Sequence, residues 1–186
     1  EERGRLVALI EHLDHGIGQV IETLKNQNMY GNTFIIFTSD NGGAHYFGAD
    51  NGDLRGGKQD MYEGGIRVPT AFVWRNRIKK ATETGALGLT MDIFPTLCDL
   101  AGVPVNHPIN GISLMPVLRD RRQEHPGRYV FWVRREGGMG RGGRAYYAVR
   151  YKNYKLLQNR PYQKMEYYNL NRNNPEQHPL EKEGAR

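Results

Sequence analysis

Thr33-Phe34-Ile35-Ile36-Phe37-Thr38, running directly into Ser39-Asp40-Asn41-Gly42-Gly43, is the stretch on which the fold turns. The unbroken run of β-branched, aliphatic and aromatic side chains suits a strand buried on both faces, as in a sheet covered by helices. It ends abruptly in polar residues and glycines. In α/β sheets, ligands bind beyond the carboxyl ends of such strands, so the corner at residues 39–43 is the first place to look for chemistry.

Working outward toward the N-terminus, Leu6, Leu9, Ile10, Leu13, Ile17, Val20, Ile21 and Leu24 recur at steps of three and four. That spacing predicts one apolar face of an amphipathic helix over residues 4–27. Gly16 and Gly18 each cost it about 1 kcal/mol relative to Ala, a loss that close packing is expected to offset. Residues 28–32 supply a turn.

Toward the C-terminus, residues 44–65 have no periodicity and six glycines, and read as a long functional loop. Residues 68–74 read as a second strand, with Pro69 near an edge or bend. Residues 90–102 read as a short helix capped by Thr90 or Asp92, with Pro95 in its first turn and Gly102 as its stop. Beyond residue 120 the pattern changes to short aromatic strands at 129–134, 146–151 and 154–158. The glycine-rich segment 136–143 between the first two reads as a mobile loop. The sequence therefore predicts an α/β body over residues 1–118, with buried strands and flanking helices, followed by a small antiparallel β-sheet subdomain over residues 119–186.

Composition limits the partners. The net charge is +6, but residues 119–164 hold 13 Lys and Arg against 3 Asp and Glu, so the rest of the chain is acidic. Such a segment either attracts anions or forms a solvated basic face. The single cysteine, Cys98, excludes an intrachain disulfide and reads as a core residue in an apolar stretch. No apolar run approaches the roughly 20 residues of a membrane span. Glu1-Glu2-Arg3-Gly4-Arg5 has neither an initiator Met nor signal-peptide character, and the chain is predicted to begin within a larger protein.

Asp40 and Asn41 offer two hard oxygen ligands at a strand terminus, which suits Ca²⁺ or Mg²⁺, although the same Asp-Asn-Gly also makes ordinary turns. Eighteen residues after Asp40 comes Lys58, in Leu54-Arg55-Gly56-Gly57-Lys58. Glycines there would let the backbone approach an oxyanion while the ammonium supplies charge, or the segment is simply a solvated basic loop. Spacing alone leaves both open.

Those two motifs, followed by Tyr62-Glu63-Gly64-Gly65-Ile66-Arg67-Val68-Pro69, closely resemble in order the type I sulfatase family of the alkaline-phosphatase-like superfamily. The resemblance continues through Asp92-Ile93-Phe94-Pro95-Thr96-Leu97, through residues 110–118, and into Tyr167-Tyr168-Asn169-Leu170 as part of a C-terminal sheet. It implies a sulfuric ester hydrolase in which Asp40 and Asn41 are metal ligands, normally to Ca²⁺. Lys58 would contact the substrate sulfate and neutralise charge in the transition state. His45 and Arg55 become candidate substrate contacts. Glu63 and Arg67 read as scaffold, paired with each other, and His12 and His15 as structural.

The resemblance also implies a formylglycine nucleophile, made within a Cys/Ser-x-Pro/Ala-x-Arg motif that this sequence lacks: Cys98 is followed by Asp99-Leu100-Ala101. The N-terminal half of such an enzyme is expected to be missing, and the chain alone to be inactive. The expected partner is a sulfate ester, with a sulfated glycan suited to the basic segment; nucleic acid is not expected. Family compartments are periplasmic, secreted or lysosomal. Alternatives are a phosphatase, phosphodiesterase or phosphonate hydrolase of the same superfamily, or a non-catalytic module binding glycan or RNA.

Overall fold

The computed structural model describes residues 1–78, 82–119, 127–135, 145–172 and 175–180. The expected loop at 136–143 lies outside the described residues, as do Arg121, Arg122, Arg141 and Arg144 of the basic segment.

Helix α1 spans Glu2–Asn26 and ends in a 3-10 turn at Tyr30–Asn32. Strand β1 (Ile35–Thr38) follows, then a long loop broken by a 3-10 turn at His45–Phe47 and the one-turn helix α2 (Glu63–Ile66). Strand β2 (Thr70–Val73) pairs with β1 in a two-stranded sheet. The Thr38 and Thr70 hydroxyls meet at 2.9 Å, and the Phe34 ring packs on Phe72 and Trp74. Two features depart from the expectations. Strand β1 is only half-buried, with Phe37 46% exposed, because among the described residues β2 is its one sheet neighbour. Nor do Gly16 and Gly18 sit at a close approach: outside the helix backbone, an added Cβ there meets nothing within 4 Å.

Helix α3 (Ile93–Ala101) begins after a 3-10 turn at Thr90–Asp92, and Gly102 stops it in the left-handed conformation at φ 68°. Pro95 lies in its first turn, as expected. Asp92, fully buried, caps the preceding 3-10 turn by accepting the Leu89 N–H through Oδ2, and takes the Ile112 N–H through Oδ1, both at 2.9 Å. Thr96 donates to the Asp92 carbonyl and accepts the Leu114 N–H, which fixes the approach to helix α4 (Met115–Leu118). Cys98 is half-buried on α3.

Strands β3 (Tyr129–Arg135), β4 (Ala145–Tyr151), β5 (Tyr154–Gln158) and β6 (Glu166–Asn169) form an antiparallel sheet in chain order. Register places Trp132 opposite Ala148, Ala148 opposite Leu157, and Lys155 opposite Tyr168. The core of this sheet is Ala148, Leu157 and Tyr168 together with Met61 and Tyr62 from the long loop. By contacts, the chain divides into two compact units. One comprises Glu1–Gly18, Phe37–Thr70 and Gly127–Arg186; the other comprises Gln19–Ile36 and Ala71–Pro126.

Candidate active-site loops

The loop between β1 and β2 is built from three glycine pairs that pack backbone on backbone. Gly42 donates its N–H to Gly65 O at 2.9 Å, Lys58 donates to Gly43 O at 2.9 Å, and Gly64 donates to Arg55 O at 2.8 Å. A Cβ on Gly42 would lie 1.7 Å from Gly64 O, one on Gly64 2.1 Å from Gly56 O, and one on Gly65 2.2 Å from Asp60 O. No side chain can occupy those positions unless the backbone moves. The glycines beside Lys58 thus let the segments of the site approach one another, a role different from the close backbone approach to an anion expected from sequence.

Asn51 staples this arrangement. It accepts the Gly43 N–H at 2.8 Å and donates to Gly43 O at 3.1 Å and Gly56 O at 3.0 Å. His45 Nε2 lies 2.8 Å from the same Gly56 carbonyl, so this candidate substrate contact is engaged with the loop backbone.

Asp40 and Asn41 sit immediately beyond β1, Asp40 exposed and Asn41 half-buried. Asp40 Oδ1 accepts the Asn41 N–H at 2.9 Å, and Asn41 Nδ2 donates to Gly42 O at 3.0 Å. Tying down the amide nitrogen leaves Asn41 Oδ1 as the acceptor end. The donor chemistry, one carboxylate and one amide oxygen, fits a hard cation such as Ca²⁺, but as two of about six oxygens. Among the described residues no three His, Cys, Asp or Glu side chains converge on one point.

Lys58 lines an open cavity of about 610 Å³ with Gln59, Asp60, Arg134, Tyr146 and the turn at residues 159–162. Asp40 and Asn41 are not among the residues lining it; their connection to Lys58 runs through the Gly43 carbonyl.

Arg55 points elsewhere. Its guanidinium lies 3.9 Å from the centroid of the Tyr62 ring and donates through Nη1 to Tyr168 Oη at 2.9 Å and Glu176 O at 2.6 Å. Tyr62 and Tyr168 both donate to Glu166 Oε2, at 2.7 and 2.6 Å. Burial, then the bond to the Glu166 carboxylate, pushes both phenols above their ordinary value of 10.0. Beneath them Lys155, 0% exposed, donates to Glu63 Oε1 at 2.8 Å and Glu176 Oε1 at 2.7 Å. Glu176 also accepts the Glu63 N–H, and Arg150 Nη1 stands 3.8 Å from Glu63 Oε2. Burial pushes the Glu176 carboxyl up while Lys155 pulls it back. Glu63 is therefore a scaffold residue as expected, but its charge partners are Lys155 and Arg150. What it shares with Arg67 is a backbone bond, Arg67 N–H to Glu63 O at 2.7 Å.

Neither Lys155 nor Asn51 carries a signal in the linear sequence. The Asn159-Arg160-Pro161-Tyr162 segment shows only as turn punctuation.

The fold and these motifs agree with the comparisons. The family model described as Sulfatase matches residues 1–103, and that for the N-sulphoglucosamine sulphohydrolase C-terminal region matches residues 56–184. The chain belongs to the sulfatase family, of the alkaline-phosphatase-like superfamily. It is 36% identical over 140 residues to N-acetylgalactosamine-6-sulfatase of Sus scrofa, covering 72% of this chain and 26% of that protein. It is 37% identical over 133 residues to steryl-sulfatase of Rattus norvegicus, covering 66% of this chain and 23% of that protein. The chain thus spans about a quarter of the length of these curated relatives. Among solved structures, Ps i-CgsB in complex with k-i-k-neocarrahexaose superposes with a TM-score of 0.87 at 29% identity, covering 97% of this chain and 39% of that one. A phosphonate monoester hydrolase of Agrobacterium radiobacter shares the fold, with a TM-score of 0.69 at 23% identity over 88% of this chain and 34% of that one. Among the described residues no helix is long and apolar enough to cross a membrane.

Proposed function

We propose that this chain carries part of the divalent-cation and sulfate site of a sulfuric ester hydrolase. Asp40 and Asn41 would give two oxygens to Ca²⁺ or Mg²⁺, and the Lys58 ammonium would hold the sulfate oxygens and offset the charge that grows on them as the ester bond breaks. The cation, when bound, supplies Lewis-acid polarisation and orientation. The observation that carries this reading is the 2.9 Å bond from Lys58 N–H to Gly43 O, which ties the Asp40-Asn41 corner to the lysine loop. His45 and Asn51 brace that bond, and Arg55 anchors the loop to the C-terminal sheet.

Formylglycine would supply the nucleophile in such an enzyme, and no Cys/Ser-x-Pro/Ala-x-Arg motif occurs in these residues. The purified chain should therefore bind Ca²⁺ weakly, with Kd about millimolar, and turn over no aryl sulfate. Calorimetry checks the first statement: Asp40→Asn should weaken Ca²⁺ binding and Lys58→Ala should weaken inorganic sulfate binding. Aryl sulfate hydrolysis by the chain, abolished by Lys58→Ala, would overturn the inactive-chain reading. Parallel turnover of a phosphonate monoester would favour the sister chemistry.

A further inference from the structure

We propose that the cavity beside Lys58 is a subsite for a sulfated oligosaccharide, in which Arg160 takes an anionic group of a neighbouring sugar and the Tyr162 ring takes that sugar's apolar face. The inference rests on the reading of Lys58 as a sulfate ligand, and it adds the substrate class and the residues that select it.

Three cations, Lys58, Arg134 and Arg160, line one cavity whose volume of about 610 Å³ falls in the range of small-molecule sites. Its one acid, Asp60, is already committed. Oδ2 accepts the Gly57 N–H at 2.9 Å, and Oδ1 accepts from Asn159 Nδ2 at 2.9 Å. The cavity therefore presents net positive charge.

Its walls are held in place. Arg134 lies 4.7 Å from the centroid of the Tyr146 ring and donates to Gln59 O at 3.0 Å. Asn159 is buried and uses both ends of its amide, accepting the Met61 N–H at 2.6 Å and donating to Asp60. That clamps the 159–162 turn against the Lys58 loop, and Gln158 Nε2 closes the turn on Gln163 O at 2.6 Å.

Tyr162 is the unusual member. It is 93% exposed and adopts φ 66°, a left-handed conformation that costs an aromatic residue energy and that glycine would adopt freely. Burial does not compensate that cost. An exposed ring held in strain at the mouth of a cationic cavity fits the face of a sugar. With the Tyr146 ring already covered by Arg134, one exposed ring falls short of the row of aromatics on which single-stranded nucleic acid stacks, which favours glycan over RNA.

Calorimetry with the whole chain tests this, using inorganic sulfate, a heparin-derived tetrasaccharide and poly(U) as probes. Arg160→Gln and Tyr162→Gly should each weaken the tetrasaccharide about fivefold to tenfold, more than either weakens inorganic sulfate. Tyr162→Gly should do so with Tm unchanged or raised, since it relieves the left-handed strain, an outcome that a merely structural role cannot give. Lys58→Ala should weaken both sulfate and tetrasaccharide. If Lys58→Ala spares sulfate while the other two variants still lose the tetrasaccharide, the subsite stands and the role of Lys58 falls. Wild-type affinity for the tetrasaccharide that is unmeasurable, or untouched by Arg160→Gln and Tyr162→Gly, overturns the proposal. Equal binding of poly(U), lost in the same variants, overturns the glycan assignment in favour of a general polyanion site.

Discussion

Lys155 shows how much of this chain depends on single buried groups. Fully buried and paired with two carboxylates, it neutralises Glu63 and Glu176 where water cannot. Lys155→Ala should cost about 3–5 kcal/mol, because it leaves buried charges uncompensated; the urea midpoint measures it. The glycines separate in the same way. Gly42→Ala drives a methyl into the Gly64 carbonyl and should prevent normal folding of the loop, while Gly16→Ala should stabilise by about 1 kcal/mol in the same assay. Tyr62 and Tyr168 give a pH signature. Their phenol pKa values are raised in the fold, so the stability they contribute is complete below the ordinary value near 10 and is lost as pH climbs above it. Ultraviolet titration should show these two phenols ionising above their ordinary value of 10.0, together with alkaline unfolding. None of these roles is legible from residue type. Lys155 and Glu63 are 92 positions apart, Glu63 and Glu176 113, and no local pattern encodes such pairings.

The elements themselves were more legible. Threefold and fourfold spacing located α1 within two residues at its N-terminal end, and aromatic β-branched runs located β3, β4 and β5. Which face each buries was harder to read. Along β5 the inward residues are Lys155 and Leu157, while Tyr154 and Leu156 point outward. Alternation read by polarity would have put the lysine in solvent, because the carboxylates that make its burial tolerable come from outside the sheet. Leu157→Ala, at 0% exposure, should therefore cost about 2–5 kcal/mol, whereas Leu156→Thr, at 37% exposure, should stay within about 1 kcal/mol; denaturant midpoints of the two variants check the assignment of faces. The threefold and fourfold spacing defines an apolar stripe on α1, yet Leu9, Ile10, Leu13 and Val20 are all more than half exposed. Periodicity identifies a face but does not provide its cover.

On the scale of the whole molecule, the unit that contains the candidate site is assembled from segments far apart in sequence. Residues 37–70 supply Asp40, Asn41 and Lys58, and the C-terminal sheet supplies the wall of the cavity and the charges beneath the loop. The order of motifs made the sulfatase family recognisable. It could not show that the glycines serve one another, or that Arg55 anchors the sheet through Tyr168 and Glu176, because both depend on how the loop closes in space. The buried ammonium has a practical consequence. Amine-acylating reagents should tag exposed Lys58, Lys152 and Lys164 within the first minutes, while Lys155 reacts only when β5 detaches from α2 and from Glu176. The lag before mass spectrometry detects that last modification is a built-in clock for the lifetime of the closed loop.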